Sequence, residues 1–163
     1  MPAIADHDCE IKHPLLVVSL EQGAVSLTAK ATLNEPMTEA LATWVHDDVA
    51  TAAQEILKTE LTTLRVVASY DCRTRDHVPG AKLSEHAFGN AIDIAGFRAG
   101  DHWIEVGGKD NSADEIRFLD AVRAAACKRF MTVLGPGSDS DHATHFHLDL
   151  AHRGKTGTYR LCE

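Results

Sequence analysis

The spacing of apolar residues predicts two amphipathic helices. From Pro36 to about Leu57, apolar side chains recur every three or four positions, which is the period of one helix face. The second helix begins at the S-x-x-E sequence of Ser112 and Glu115, a capping box. The two apolar stripes consist of Met37, Leu41, Val45, Val49, Ala52 and Ile56, and of Ile116, Leu119, Val122, Ala126 and Phe130. We expect the first helix to serve as a scaffold.

Runs of β-branched and apolar residues predict strands between these helices. Leu64 to Tyr70 predicts a buried strand, Ala91 to Phe97 a second one, and His102 to Val106 a strand that pairs beside it. The segment from Asp71 to Asn90 is rich in glycine, proline and charge, and it predicts a long loop. Long loops in compact domains are often functional.

Shorter segments follow the second helix. Met131 to Leu134 predicts a short strand, Gly135-Pro136-Gly137 a turn, and His145 to Ala151 a final strand. This order of elements predicts an α+β fold with a mostly antiparallel sheet flanked by helices. Because no repeat, low-complexity tract or linker divides the sequence, residues 1–163 are expected to form one domain.

Composition narrows the classes of partner. The chain has 163 residues, of which 16 are Lys or Arg and 24 are Asp or Glu, so its formal net charge is -8. This balance argues against nucleic acid, whose binding needs clustered basic side chains that release counterions. The longest purely aliphatic run is Leu15 to Val18. It is far shorter than the roughly 20 residues of a membrane span, so no transmembrane segment is expected.

Four cysteines, at positions 9, 72, 127 and 162, occur without a C-x-x-C pair. Their separation argues against a zinc knuckle and favours two disulfides, with four buried free thiols as the alternative. Of the three possible pairings we expect Cys72 with Cys127 and Cys9 with Cys162, since the second pair would join the termini. Two disulfides would favour an oxidising compartment. The N-terminus shows no leader segment, so an exported protein would be the mature form with an added start.

The last predicted strand places polar side chains on one of its two faces. Its residues alternate between the two faces of the sheet. The apolar set is Phe146, Leu148 and Leu150, and the polar set is His145, His147 and Asp149. Burying polar groups without partners costs about 1 to 3 kcal/mol each, and a bound metal ion would satisfy them. For either histidine taken alone, a solvated or hydrogen-bonded imidazole is the simpler interpretation.

The segment from Ser84 to Asp93 supplies further candidate ligands. On a continuous helix, His86 and Asp93 would be roughly 10.5 Å apart along the axis, too far to share an ion whose ligand bonds are about 2 Å. A turn at Gly89-Asn90 would let them converge. Two imidazoles and one carboxylate leave a fourth tetrahedral position for water, which is typical of a catalytic zinc site. Two imidazole ligands also argue against magnesium, which prefers oxygen ligands.

Two motifs resemble those of known zinc peptidases. The sequence S-E-H-A-F-G-N-A-I-D resembles the S-x-H-x-x-G-x-x-x-D motif of D-alanyl-D-alanine carboxypeptidases and dipeptidases and of penicillin-insensitive murein endopeptidases. The segment from His142 to His147 resembles their second, H-x-H-bearing motif, closest to the murein endopeptidase form. Over roughly residues 9 to 162 the chain more closely resembles the bacterial extensin-like C-terminal domain family. The matching segments are Cys72-Arg73, Ser84 to Asp93, Ala126-Cys127, Val133 to Pro136 and His145 to Leu150.

Carried over by position, the resemblance implies a hedgehog/DD-peptidase-like fold with zinc bound by His86, Asp93 and His147. Carboxypeptidase and dipeptidase relatives often have an acidic base three positions before the last ligand, but here that position is Thr144. The endopeptidase-like form puts forward His145 and His142 as catalytic residues instead, with Asp141 as a weaker candidate. His145 could alternatively only orient a ligand or the substrate.

Two more residues resemble positions that contact substrate. Arg73 resembles an arginine that binds substrate or stabilises a developing oxyanion, with a surface arginine in a loop as the alternative. Ser84 could hold a substrate carboxylate or merely shape the turn. Trp44 is expected in the core, and Trp103 either in the core or at an exposed substrate platform.

The resemblance therefore implies a zinc-dependent peptidase that hydrolyses an amide bond next to a D-amino acid in peptidoglycan, in the periplasm of a Gram-negative bacterium. The endopeptidase-like histidines favour cleavage of cross-links over a D,D- or L,D-carboxypeptidase activity. Because the hedgehog signalling domain keeps a similar zinc constellation as a binding protein, a non-catalytic wall-binding module is the alternative of another class. A peptidoglycan peptide is the expected partner and a monomer the expected state.

Overall fold

The computed structural model describes residues 1–6, 8–75 and 78–163, and most of its strands belong to one sheet. The strands are β1 (Ile4–Asp6), β2 (Cys9–Ile11), β3 (Leu15–Leu20), β4 (Val25–Leu33), β5 (Leu61–Ala68), β6 (Ala91–Ala99), β7 (His102–Glu105), β8 (Thr132–Leu134), β9 (Phe146–Asp149) and β10 (Leu161–Cys162). The eight-stranded sheet has the order β10-β8-β9-β6-β5-β4-β3, and β7 also pairs with β6. The short β1 and β2 pair separately.

Two helices cover one face of this sheet. The N-terminal helix consists of two α-helical segments, each followed by one π-helical turn, in the order Glu35–Trp44, Val45–Val49, Ala50–Ala52 and Ala53–Leu57. Its start is capped by Asn34, whose side-chain oxygen accepts a hydrogen bond from the Met37 amide at 2.9 Å. The helix predicted from Pro36 to about Leu57 is confirmed.

The C-terminal helix spans Ala113–Arg129 and begins with the predicted capping box. The Glu115 amide donates to the Ser112 hydroxyl at 3.3 Å, and the Ser112 amide donates to the Glu115 carboxylate at 2.6 Å. These two bonds satisfy amides that have no partner inside the helix, which is why the helix starts at this point.

Trp44 connects the helices to the sheet and is fully buried, as predicted. Its indole lies edge-on to Phe97 of β6 and to Phe130, with ring centroids 6.1 and 5.9 Å away. The indole nitrogen donates a hydrogen bond to the Val122 carbonyl at 3.0 Å, so this large side chain is buried without leaving a polar group unpaired.

The pairing directions confirm the predicted fold class. Parallel pairing occurs between β4 and β5, which the N-terminal helix connects as a crossover, and between β10 and β8. The other pairs are antiparallel, so the chain is an α+β protein with a mainly antiparallel sheet and two helices. No helix in the described ranges combines the length and the apolar character needed to cross a bilayer.

The structure also contains strands that the sequence pattern did not predict, namely β1 to β4 and β10. The strand predicted at Leu64 to Tyr70 is β5, which begins three residues earlier and ends two residues earlier. The final strand ends at Asp149 instead of Ala151. Within the predicted loop 71–90, the chain forms a 3-10 turn at Glu85–Phe88, and residues 76 and 77 lie outside the described residues.

The cysteines form two disulfides, but the expected pairing is wrong. The bonds join Cys9 to Cys72 and Cys127 to Cys162. Cys9 lies on β2, which contacts the 3-10 turn of the loop that Cys72 begins. Cys162 lies on β10, at the far edge of the sheet, beside the strand that follows the C-terminal helix. Each disulfide therefore follows from segments that contact each other in the fold, β2 with the 3-10 turn and the C-terminal helix with β8 and its partner β10.

Candidate metal centre

Antiparallel pairing of β6 and β9 creates the floor of the site. Asp93 lies directly opposite His147 in the register. Their neighbours Ile92 and Leu148, also paired, are completely buried in the core. Because side chains alternate along a strand, the same pairing that buries the aliphatic residues on one face brings a carboxylate and an imidazole together on the other.

The 3-10 turn Glu85–Phe88 brings His86 to this floor. The turn is capped by the Ser84 hydroxyl, which accepts a hydrogen bond from the His86 amide at 3.4 Å. It ends at Gly89, whose φ is +60°. A side chain there would lie 2.6 Å from Ile11 and 2.9 Å from the Asn34 amide, so glycine is required both for the conformation and for the close approach. The predicted turn at Gly89-Asn90 is confirmed.

The His86 imidazole is held with one nitrogen facing the site. Its Nδ1 lies 2.5 Å from the Ser69 carbonyl oxygen, and a carbonyl only accepts, so in the neutral ring Nδ1 carries the proton and Nε2 has the free lone pair. Nε2 is buried and has no hydrogen-bond partner among the described residues. It lies 3.3 Å from an Asp93 carboxylate oxygen. The lone pairs of His86 Nε2 and of the Asp93 carboxylate oxygen repel each other at this distance, and a cation between the two atoms would remove that repulsion.

His147 lies between two carboxylates. Its Nδ1 is 2.9 Å from Asp93 Oδ1, and its Nε2 is 3.0 Å from Asp149 Oδ2. Burial opposes the charged form, but the hydrogen bonds to Asp149 and Asp93 outweigh it and raise the pKa of His147 to about 9. The pKa of Asp93 is lowered despite its burial, chiefly because the hydrogen bond with His147 stabilises the carboxylate.

Asp149 is a functional candidate to which the sequence pattern assigned no catalytic role, only a hydrogen bond from a strand neighbour or from His86. It is almost fully buried, and its Oδ1 accepts a hydrogen bond from the Ala151 amide at 2.9 Å. Its Oδ2 faces His147 Nε2, which is the arrangement by which outer carboxylates orient metal-binding histidines. The only signal in the sequence was its position on the polar face of the final strand.

His86, Asp93 and His147 could together hold a metal ion, because one ligand atom from each lies within 4.8 Å of the others. The donor set consists of two imidazole nitrogens and one carboxylate oxygen. His86 Nε2 has no hydrogen-bond partner among the described residues, so its lone pair is available to a metal ion. A set of two imidazoles suits zinc and other transition metals better than magnesium or calcium.

His145 lies next to this group, immediately before β9. Its Nε2 is 3.7 Å from Asp93 Oδ2, beyond hydrogen-bond distance. Burial lowers the pKa of His145, and the nearby Asp93 carboxylate offsets this only in part. The imidazole is therefore neutral near pH 7 and able to accept a proton.

His142 stands behind the other histidines. Its ring centroid is 5.3 Å from that of His145 and 5.6 Å from that of His147. Its Nδ1 is hydrogen-bonded to Asp139 at 2.7 Å, and that carboxylate also accepts from the Asp141 and His142 amides. The loop before β9 therefore fixes the orientation of the His142 ring, while Thr144, at the position of the acidic base in the resembled enzymes, is exposed.

The candidate metal ligands line a cavity of about 540 Å³. Arg73, Ser84, Asp141, His142 and His145 also line it, so the structure brings all the site residues predicted from the sequence to one cavity. Arg73 is anchored by an ion pair from its Nε to Asp71 at 2.9 Å. Trp103 lies outside the cavity lining, half-buried under the guanidinium of Arg65, which is 4.3 Å from the ring centroid.

Comparison with known families gives one match over the whole chain. The model of the family described as "Extensin-like protein C-terminus" matches residues 1–163. No curated protein matches the chain, and no solved structure matches it.

Proposed function

Because this chain belongs to the extensin-like protein C-terminus family, we propose that it is a zinc-dependent peptidase of peptidoglycan. In this proposal the enzyme hydrolyses an amide bond next to a D-amino acid, as a murein endopeptidase that cleaves cross-links. A hedgehog/DD-peptidase-like architecture is part of the proposal, and the S-x-H-x-x-G-x-x-x-D and H-x-H sequences support it.

The observation that carries the proposal is the buried lone pair of His86 Nε2 opposite Asp93 and His147. A buried imidazole acceptor without a partner is costly, and a divalent cation at this point would remove that cost. The three candidate ligands lie in an open cavity beside two further histidines. A structural zinc site normally has four protein ligands and is closed, whereas three ligands in a cavity are typical of a catalytic site.

Bound zinc would supply Lewis-acid chemistry, polarising the amide carbonyl and lowering the pKa of the attacking water. His145 then acts as the general base, because its neutral imidazole lies beside the candidate ligands. It takes a proton from the water as the new carbon–oxygen bond forms, and it returns this proton to the amide nitrogen as the carbon–nitrogen bond breaks. The immediate products are an amine and a carboxylic acid that keeps the second proton of the water. Transfer of that proton gives the carboxylate and the ammonium group, and the imidazole ends in its starting state.

Two other residues have supporting roles in this proposal. Arg73, held by Asp71 at the wall of the cavity, presents positive charge where an oxyanion develops. His142, oriented by Asp139, lies close enough to the His145 ring to hold it in place. Ser84 is engaged as the cap of the turn that carries His86, so its contribution is to position that ligand.

The two disulfides support a location outside the reducing cytosol. Peptidoglycan peptides are accessible from the periplasm of a Gram-negative bacterium, which is the location we propose. The protein would have to reach this compartment by export.

Incubation with purified muropeptides tests the activity. Loss of cross-linked dimers without release of free amino acids is the expected result for an endopeptidase. Release of terminal D-alanine with dimers intact would replace this assignment by a carboxypeptidase. Binding to sacculi without any cleavage product, in the zinc-loaded wild type and in His145→Ala alike, would refute the enzyme and support a wall-binding module. The exposed Thr144 at the usual position of the base makes this last control necessary.

A further inference from the structure

Arg153 is a cavity-lining residue for which the proposed mechanism has no role. It follows β9 in the chain, and its Nε donates a hydrogen bond to the Thr132 hydroxyl at 2.8 Å. Thr132 is completely buried on β8, where it pairs in register with Asp149. The guanidinium is thereby fixed above the Asp149 end of the site, with 27% of the side chain exposed.

The terminal nitrogens of Arg153 have unused hydrogen-bonding capacity. The nearest carboxylate oxygen, Asp149 Oδ2, is 4.0 Å from Nη2, beyond hydrogen-bond distance. Asp149 already bonds His147 and the Ala151 amide. Among the described residues, neither terminal nitrogen of Arg153 has a hydrogen-bond acceptor. An anchored guanidinium with free N–H groups in a cavity is suited to bind a carboxylate through two parallel bonds.

The other two arginines of the cavity differ in this respect. Arg73 is paired with Asp71 at 2.9 Å, and Arg75 is 3.7 Å from Glu85. Arg73 also donates from Nη1 to the Thr74 carbonyl at 3.4 Å. Among the three arginines that line the cavity, Arg153 is the one whose anchor is an uncharged hydroxyl and whose nearest carboxylate oxygen is as far as 4.0 Å.

The position of Arg153 also limits how far the carboxylate of a ligand can lie from the amide bound at the candidate metal group. On β9, His147 and Asp149 project on one face two residues apart, roughly 7 Å, and His145 directly precedes the strand. The candidate base thus lies on one side of His147, and Asp149 with Arg153 lies on the other. The distance from the candidate metal group to Arg153 is therefore short. If the scissile amide of a ligand lies at the metal group, a carboxylate of the same ligand can reach Arg153 when it is within about two residues of that amide.

We infer that Arg153 is a substrate-binding residue that holds a carboxylate of the ligand on the side of the metal group opposite His145. The inference rests on the proposed function in placing the amide at the metal group. The carboxylate belongs either to the C-terminus of the peptide or to an internal residue such as a γ-linked D-glutamate. Both share the same chemistry.

Calorimetric titration of the zinc-loaded full chain with three probes tests this inference. The probes are N-acetyl-D-alanyl-D-alanine, with a terminal carboxylate; N-acetyl-γ-D-glutamyl-D-alanine amide, with an internal one; and N-acetyl-D-alanyl-D-alanine amide, with none. We expect one or both carboxylate probes to bind about tenfold or more tightly than the uncharged probe, the size of a charged hydrogen-bond pair. Arg153→Gln should abolish this preference. The probe whose affinity falls identifies the source of the carboxylate.

The matched control is Arg117→Gln, which removes an exposed arginine of the C-terminal helix that pairs with Asp114 and should leave all three affinities unchanged. Equal affinity of the wild type for all probes, or a preference retained by Arg153→Gln, would overturn the inference. If Arg153→Gln lowers the melting temperature, the variant is destabilised, and the contact is tested in the wild type instead. The NMR signal of the Arg153 Nε–H is then followed during titration with each probe. It should shift with a carboxylate probe and not with the uncharged one, and an unshifted signal would refute the contact.

Mass spectrometry of the same samples separates this inference from the proposed function. Binding that depends on Arg153 without any cleavage of probes or muropeptides would count against the peptidase and not against the carboxylate site. Cleavage that is insensitive to Arg153→Gln, with no preference for carboxylate probes, would support the peptidase and refute the role of Arg153.

Discussion

The paired strands β6 and β9 have two faces that differ in their side chains, one apolar and one polar. On the helix-covered face, Ile92, Ile94 and Leu148 are fully buried among aromatic and aliphatic side chains. On the other face, Asp93 and His147 are also nearly buried, yet they contact each other and leave one nitrogen of His86 unpaired. The first face is complete within the protein, whereas the second contains a group that could hold a metal ion.

This difference shows how stability and function can be separated within a few residues. The apolar face gains free energy from burial and needs only complementary shape. The polar face is stable only where each buried group has a partner, and its remaining acceptor indicates a cation. Substitutions on the first face should therefore change folding with little effect on metal binding, and those on the second should do the reverse.

The largest effect is expected from the polar face, for His145→Ala. If His145 is the general base, its loss should lower the rate of muropeptide hydrolysis roughly 100- to 10,000-fold. The variant should still bind one zinc ion, because its nitrogen is not among the ligand atoms. The rate and the zinc content of the same preparation check this, with the exposed His13→Ala as control. Loss of zinc together with activity would contradict the separation of base and ligand.

Leu148→Ala tests the apolar face one residue from a candidate ligand. Removing this fully buried side chain should lower the free energy of unfolding by about 2 to 5 kcal/mol, with and without zinc. Urea denaturation measures the change. In His86→Ala, by contrast, added zinc should no longer raise the melting temperature, since stabilisation by a ligand requires its site. A zinc-dependent shift lost in Leu148→Ala would mean that the faces are not independent.

Asp149→Asn sharpens the comparison within the polar face itself. Asp149 orients His147 without joining the ligand group, so an amide there should weaken zinc binding by about 10- to 100-fold without abolishing it. Competition with a chromogenic chelator gives the affinity. Unchanged affinity would show that the strand alone orients His147.

The last expected effect is a pH dependence of the metal affinity of the unmodified protein. With the pKa of His147 raised to about 9 by its two carboxylate partners, the metal must displace a proton whenever the pH is below that value. Affinity should therefore fall about tenfold for each unit of decreasing pH below 9. Chelator competition at pH 6, 7 and 8 measures this slope. An affinity independent of pH over this range would contradict the protonation state assigned to the free site.

Much of the polar face could be predicted from the sequence, but little of the strands at the edges of the sheet. The alternation around Leu148 and the turn at Gly89 were visible because each depends on local backbone geometry. β3 was not predicted, since Leu15 to Val18 form an unbroken apolar run without alternation, and Leu16 and Val18 remain exposed. The disulfide pairing depended on which segments meet in space, which spacing alone does not encode. Arg153 was missed because it follows the strand in an irregular segment.

The metal content of purified variants tests the account most directly. After dialysis against zinc and then buffer, the wild type and His145→Ala should each retain one zinc ion per chain. His86→Ala, Asp93→Ala and His147→Ala should each retain none in stoichiometric amount, because every one of them removes a ligand atom of the same group. A wild type without zinc, or one of these three variants with a full equivalent, would contradict the metal centre.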